Sequence, residues 1–244
     1  QMPWGHVRTL LAKVKSVELV LLYAQAYTEH GWSRTVLEWQ IEQRFHERAG
    51  QAVGNFAPTL PAPQSELVQQ SLKDPYVFDF LTLAPQAVER DIENQLVAQI
   101  TRFLLELGKG FAFLGRQYPL AVNGRDYFLD LLFYHARLKC YVVIELKAGE
   151  FKPEYVGKLN FYLSAVDDQL RADGDQPTIG LILCKDKDKL DVEYALRDIH
   201  KPMGVSSFIT KDIPLSVQSQ LPTVQEIESE LTALMHNDES KPNE

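Results

Sequence analysis

Residues 127–147 read YFLDLLFYHARLKCYVVIELK, and this stretch decides the fold. Its two apolar runs, 127–134 and 140–147, are separated by a short polar segment, which predicts two consecutive β-strands. Each run carries one carboxylate, Asp130 in the first and Glu145 in the second. Asp is disfavoured in strands, and a buried carboxylate is costly unless a cation or hydrogen bonds compensate it. The two carboxylates are therefore the first candidates for a functional site.

Side-chain alternation groups the polar residues of the second strand. Glu145 and Lys147 fall on one face, and Leu146 falls on the other. If the two strands pair antiparallel, Asp130 comes within reach of Glu145. Two carboxylates on neighbouring strands can bind a hard divalent cation such as Mg²⁺, with the main-chain carbonyl of Leu146 as a third oxygen ligand. Lys147 would then orient a water nucleophile or stabilise charge on a phosphate.

Each of these elements also has an ordinary structural interpretation. A Glu-x-Lys pair at the end of a strand is usually a solvent-exposed edge, and a single strand Asp is often hydrogen-bonded to a turn. The combination is more specific, because Asp130 is followed by fourteen residues and then by Glu-x-Lys on two consecutive strands.

The flanking sequence predicts the rest of an α/β core. Apolar spacing predicts one amphipathic helix over residues 85–107, and the dipeptide Asn123-Gly124 predicts a two-residue hairpin turn. The other expected elements are strand 111–122, a helix opened by Pro153, strand 178–184, helix 188–199 and strand 205–209. The order helix, three strands, helix, strand predicts a meander whose fourth strand is brought alongside by a helix.

The N-terminal part of the sequence predicts helices. No Pro or Gly interrupts residues 6–30, so one helix is expected there, ended by Gly31. Ser33 is a candidate N-cap for a second helix. Prolines and glycines between residues 50 and 63 indicate a connector.

Three parts of the chain are therefore expected. Residues 1–83 form a partial helical region that binds nucleic acid or docks a partner. Residues 84–222 form the α/β domain, and residues 223–244 form an acidic C-terminal helix and tail. The last part contains six acidic residues and one basic residue, out of a formal net charge of −8 for the 244-residue chain.

The charge distribution and the apolar patterning exclude several classes of protein. The nearly neutral body argues against indiscriminate nucleic-acid binding through bulk charge, although it leaves room for a local basic groove. No apolar run approaches the roughly 20 residues of a membrane span, and no signal peptide is recognised. Cys140 and Cys184 lie in apolar runs and are expected to be buried free thiols, which favours a cytoplasmic location.

Several stretches of this sequence resemble one known family. They are FLLELGKGFAFLGRQ, DYFLDLLFYH, YVVIELKAGEFKPEY, GKLNFYLSAVDD, IGLILCK and EYALRD. They are similar to the PD-(D/E)XK nuclease domain of the bacterial YhcG-like proteins, long a family of unknown function. The earlier stretches WGHVRTLL and KDPYVFDFL extend the resemblance over most of residues 3–222.

The resemblance implies a restriction-endonuclease-like core of order αβββαβ, with a mixed sheet flanked by helices, preceded by a small helical region. It implies an endonuclease that hydrolyses DNA phosphodiester bonds with Mg²⁺, for which Mn²⁺ can substitute. Asp130 corresponds to the motif Asp, Glu145 to the (D/E) and Lys147 to the Lys. The chain departs from the motif at Leu129, where the family pattern carries Pro.

The resemblance also suggests accessory site residues. The superfamily often adds a Glu from the first helix, a role that Glu93 fits, with Glu89 one turn earlier as the alternative. Both are equally well explained as helix carboxylates near an N-terminus. In the second helix Lys158 stands where related nucleases carry Gln or Lys, yet a packing lysine fits the same position. Gln117 is a weaker candidate.

Two further functions remain open beside nuclease activity. The chain is alternatively a catalytically silent nucleic-acid-binding module, or a protein-docking module of a defence or mobile-element system. A homodimer is expected if it cuts both strands of duplex DNA, because one such site cuts one strand and two-fold symmetry supplies the second.

Overall fold

A computed structural model of the chain describes residues 2–84 and 86–212. The strands in these ranges are β1 (Val53–Gly54), β2 (Tyr76–Leu83), β3 (Phe111–Val122), β4 (Arg125–His135), β5 (Cys140–Leu146), β6 (Ile179–Cys184) and β7 (Met203–Asp212). The helices are α1 (Trp4–Lys13), α2 (Val17–His30), α3 (Arg34–Glu42), α4 (Phe45–Arg48), α5 (Phe56–Thr59), α6 (Gln64–Ser71), α7 (Glu89–Ala98), α8 (Ile100–Leu107), α9 (Glu154–Gln169) and α10 (Lys189–Leu196).

The strands form one mixed sheet in the order β1-β7-β6-β5-β4-β3, and β2 also pairs with β7. Strands β3, β4 and β5 are the predicted antiparallel meander, and β6 lies parallel to β5 after the crossover helix α9. Asn123 and Gly124 have φ angles of 51° and 71° in the loop between β3 and β4, as a two-residue hairpin turn requires. The predicted order and fold class are confirmed.

The predicted helix over residues 85–107 is wrong in one respect, because it is two helices. Gln99, between α7 and α8, has φ −109° and ψ 33°, which breaks the regular helix. Ile92 of α7 and Phe103 of α8 are both fully buried in the same core. The apolar spacing thus continues across the break, which is why the pattern does not reveal it.

The N-terminal helical prediction also needs correction. The helix expected over residues 6–30 is divided into α1 and α2, and Ser16 caps α2 by accepting the N–H of Leu19. Gly31 ends α2 in the left-handed region, and Ser33 caps α3, as predicted.

Residues 1–83 contribute strands as well as helices. β1 and β2 both pair with β7, so this part of the chain extends the sheet of the α/β core. The division at residue 83 stays a prediction, and the segment 223–244 lies outside the described residues.

The two faces of the sheet carry separate apolar cores. Leu131 and Ile144 belong to the core that α7 and α8 cover. Val143 belongs to the core that α9 and α10 cover on the other face. Cys140 and Cys184 are buried and unpaired, as predicted. In the described part of the chain, no helix has the length and apolar character needed to cross a membrane.

A buried charge network joins the N-terminal helices to the core. The carboxylate of Glu106 on α8 is fully buried and forms ion pairs with Arg48 of α4 and, at 3.3 Å, with Lys73. It also accepts the main-chain N–H of Val77 on β2 at 2.9 Å. This one carboxylate therefore links three parts of the chain that are distant in sequence, namely α8, α4 and residues 73–77.

Replacing Glu106 with Gln is expected to lower the free energy of unfolding by about 3 kcal/mol, because two buried cations lose their counter-charge. Urea unfolding followed by tryptophan fluorescence measures this change. The matched control is Glu42→Gln, which removes an exposed ion pair with Lys13 and should lower the stability far less, because solvent screens that pair. Equal effects of the two variants would contradict a structural role for the network.

Candidate active site

The pairing of β4 with β5 brings Asp130 and Glu145 together. The strands are antiparallel, and Leu131 pairs with Ile144. Asp130 precedes Leu131 and Glu145 follows Ile144, so the two carboxylates are neighbours across the ladder. The main-chain N–H of Leu146 donates to Oδ2 of Asp130 at 2.9 Å. The two carboxylates are neighbours, as the strand pairing predicts.

Glu145 is fully buried between two lysines. Its Oε1 atom accepts a hydrogen bond from Nζ of Lys147 at 3.0 Å and another from Nζ of Lys158. Its Oε2 atom is buried without a hydrogen-bond partner in the described part of the chain. A buried carboxylate oxygen almost always has a partner, so this atom is free to accept a cation or a hydrogen-bond donor.

The environment of Asp130 alters its proton affinity. Burial and the adjacent charge of Glu145 raise the pKa of the Asp130 carboxyl to about 6. The N–H of Leu146 and the ammonium groups of Lys147 and Lys158 act in the opposite direction and are too weak to cancel the increase. Close like charges in a buried site favour the uptake of a proton or a cation.

The two lysines approach Glu145 from different elements. Lys147 follows the end of β5, on the same face as Glu145 as the alternation predicts, and its Nζ lies 4.9 Å from the ring centre of Tyr155. Lys158 is on α9, with Nζ 5.2 Å from the ring centre of Tyr162. Burial alone would lower the pKa of Lys158, but the hydrogen bond to Glu145 and the nearby negative charges of Glu145 and Asp130 together raise it, so the ammonium stays charged.

The hairpin partner of Asp130 is an irregular residue. The pairs Arg116–Leu131 and Tyr118–Leu129 place Gln117 opposite Asp130, and Gln117 has a φ of 42°. From its sequence, Gln117 is only a weaker candidate for the site, and no local pattern signals a positive φ at a glutamine within a strand.

The structure places both candidate glutamates of α7 beside the sheet. Glu93 is buried, and its Oε2 accepts a hydrogen bond from the side-chain amide of Gln117. Glu89 accepts the main-chain N–H of Ala148, just beyond β5, at 3.1 Å. Burial would raise the pKa of Glu89, but the N–H of Ala148 and the charge of Lys147 contribute to lowering it overall.

The donor set fits a hard divalent cation. It consists of the Asp130 and Glu145 carboxylates and the Leu146 carbonyl, all oxygen ligands of the kind that Mg²⁺ and Mn²⁺ accept. The partnerless Oε2 of Glu145 is the observation that supports the fit. Within residues 2–84 and 86–212, no three His, Cys, Asp or Glu side chains converge as a metal site, so a carbonyl or water must complete the ligands.

Comparison with known sequences finds a matching family model and a similar protein. The model of the YhcG PDDEXK nuclease domain matches residues 69–222. The Escherichia coli (strain K12) protein named "Putative nuclease YhcG" is 34% identical over 201 residues, a match that covers 81% of this chain and 54% of the relative. The chain thus spans about half the length of the curated relative that it matches.

Two solved structures align with part of this chain. A repair endonuclease from Pyrococcus abyssi aligns with a TM-score of 0.35 and 14% identity, over 54% of this chain and 50% of that one. An EndoMS–dsDNA2 complex aligns with a TM-score of 0.37 and 17% identity, over 56% of this chain and 49% of that one. At these scores neither likeness assigns a role to a residue.

The raised pKa of Asp130 predicts a pH-dependent stability. Because the folded chain binds this proton more tightly than the unfolded chain, the stabilisation is complete below about pH 4 and lost as the pH rises through about 6. Asp130→Asn lacks this loss. Its free energy of unfolding relative to wild type should therefore increase by on the order of 2 kcal/mol between pH 4 and pH 7.

Urea unfolding in EDTA at several pH values measures this difference. Asp126→Asn, which removes an exposed carboxylate from the same strand, is the matched control. A difference between Asp130→Asn and wild type that stays constant with pH would contradict the prediction.

Proposed function

Because this chain belongs to the YhcG PDDEXK nuclease domain family, we propose that it hydrolyses DNA phosphodiester bonds with Mg²⁺ at Asp130, Glu145 and Lys147. Hydrolysis joins the oxygen of a water to phosphorus and breaks one P–O bond, and the leaving oxygen takes up a proton. The family is a nuclease family. The choice of DNA and Mg²⁺ and the residue roles are the substance of the proposal.

One observation carries the proposal. Glu145 is fully buried beside Asp130, yet its Oε2 has no hydrogen-bond partner among the described residues. A carboxylate that served only to pair with lysines would satisfy both oxygens, because an unpaired buried polar atom costs free energy. The free oxygen favours a cation site over a structural ion pair.

The acidic residues have a binding role. Asp130 and Glu145 would hold the cation through their carboxylates, together with the carbonyl of Leu146. When bound, Mg²⁺ supplies positive charge at the phosphate and lowers the pKa of an adjacent water. The N–H of Leu146 keeps the Asp130 carboxylate in place by its 2.9 Å hydrogen bond.

The basic residues have an electrostatic role. Lys147 would stabilise the charge that develops on the phosphate oxygens and orient the attacking water. Its ammonium contacts Oε1 of Glu145 and packs over Tyr155, so it is already positioned beside the carboxylates. Lys158 also contacts Oε1 of Glu145 and offsets part of the negative charge of the site.

Removing either an acidic or a basic residue of the site should strongly reduce cleavage. Asp130→Asn loses a cation ligand and Lys147→Ala loses charge stabilisation, so each should reduce Mg²⁺-dependent cleavage by at least about 100-fold. The assay is gel-based cleavage of duplex, branched and single-stranded DNA, and of RNA, with Mg²⁺ or Mn²⁺. The control is Arg171→Ala. Arg171 is an exposed cation just beyond the C-terminal end of α9, whereas Lys158 lies near the N-terminal end of the same helix.

The outcomes of this assay separate the candidate functions. Cleavage that survives in Asp130→Asn would refute the site. Wild-type chain that takes up no Mn²⁺ and cuts none of these substrates would favour the silent binding or docking module. Preferential cleavage of RNA would correct the proposed substrate. A cytoplasmic location stays a prediction.

We further propose that the chain acts on duplex DNA as a homodimer, since one site cuts one strand. The expected result is a mass of twice 27.8 kDa in light scattering coupled to size-exclusion chromatography. A mass near that of one chain at every concentration would contradict this part of the proposal.

A further inference from the structure

Gln117 has a backbone conformation that a strand does not require. Its φ of 42° lies in the left-handed region, which side chains other than Gly, Asn and Asp rarely adopt. Strain of this kind persists where the surrounding structure enforces it, and such residues cluster at functional sites. The observed conformation therefore calls for an explanation in terms of what Gln117 contacts.

The strained residue lies opposite Asp130, where the ladder lacks a regular pair, and the register shift of the hairpin lies a few residues earlier, between Phe113 and Gly115. The register pairs residues 116 and 118 with 131 and 129, which places Gln117 opposite Asp130 without a regular pair between them. Leu129 and Leu131 are two residues apart, yet they belong to cores on opposite faces of the sheet. Residues two apart share a face in a regular strand, so β4 is locally twisted at Asp130.

The same part of the hairpin is tied to helix α7 by two adjacent side chains. The amide of Gln117 donates to Oε2 of Glu93, and Nη1 of Arg116 donates to Oδ1 of Asn94 at 2.8 Å. Consecutive residues of the strand thus bind consecutive residues of the helix. This double link fixes where Glu93 lies relative to the Asp130 position.

The charge of Glu93 lacks a counter-charge in the described part of the chain. Its side chain is 4% exposed, and among the described ion pairs none includes it. Glu106, which is also buried, has two cations. A buried carboxylate with a neutral amide as its donor is incompletely compensated, and a bound divalent cation would complete the compensation.

We infer that Gln117 is a positioning residue that holds the Glu93 carboxylate toward the cation-binding site formed by Asp130 and Glu145. The amide donates to one oxygen of Glu93, and the other oxygen would accept a hydrogen bond from a water of the cation, because Glu93 does not converge with Asp130 and Glu145 as a direct ligand set. Hydrogen bonds that orient a ligand in this way commonly change metal affinity by 10–100-fold when they are removed. This inference rests on the proposed function and adds a residue to it.

Three variants separate the side chain of Gln117 from its backbone. Gln117→Leu keeps a side chain of similar size and removes the donor. Gln117→Gly removes the donor and also relieves the strained φ, since Gly adopts this region without penalty. The matched control is Gln169→Leu, which deletes a side-chain amide that donates to Ala121 on the same hairpin strand at 3.0 Å.

Mn²⁺ binding measured by calorimetry is the decisive readout, and melting temperature in EDTA reports the fold. Gln117→Leu and Gln117→Gly should each bind Mn²⁺ at least about tenfold more weakly than wild type. In EDTA, Gln117→Gly should melt higher than Gln117→Leu, because both variants lose the donor to Glu93 and only Gly relieves the strained φ. Gln169→Leu should bind Mn²⁺ as wild type does. In a Glu93→Gln background, Gln117→Leu should cause no further loss, because it acts through Glu93.

Two results would overturn the inference alone. If wild type binds Mn²⁺ and Gln117→Gly binds it equally well, Gln117 is only a turn residue. If Gln117→Leu weakens binding by the same factor with and without Glu93, it does not act through Glu93. If wild type neither binds Mn²⁺ nor cleaves nucleic acid, the proposed function fails first, and the inference fails with it.

Discussion

The buried negative charge of Glu145 is the constraint on which the site depends. A carboxylate with no solvent exposure is tolerated only with compensating cations or donors. Lys147 and Lys158 supply that compensation from the end of β5 and from α9, and both bind the same oxygen. The Glu145 side chain therefore constrains both the position of α9 against the sheet and the direction of the chain after β5. Its second oxygen has no partner among the described residues.

Three buried carboxylates differ in how completely their charge is satisfied. Glu106 has two cations and a main-chain donor, and it joins the N-terminal helices to the core. Glu145 has two cations on one oxygen and none on the other. Glu93 has a neutral amide. The degree of compensation separates a carboxylate that stabilises the fold from those suited to bind a cation, although all three are buried.

The hairpin that carries Asp130 is contacted by helices on both faces of the sheet. Helix α7 covers one face and carries Glu93, and helix α9 covers the other and carries Lys158. Asp130 lies at the local twist of the hairpin, because Leu129 and Leu131 on either side of it point into the cores on opposite faces of the sheet. A regular strand would keep all of its alternate side chains on one face. The irregular β3–β4 ladder thus brings side chains of one strand into both cores within a few residues.

The sequence alone determined the order of the core elements, the hairpin turn and the pairing of Asp130 with Glu145 and Lys147. These follow from alternation, helical spacing and turn chemistry, which act over a few residues. Tertiary structure alone decided the break at Gln99, the joining of β1 and β2 to β7, and the contacts of Lys158 with Glu145 and Gln117 with Glu93. Such features depend on packing between segments 13 to about 150 residues apart, which no local pattern records.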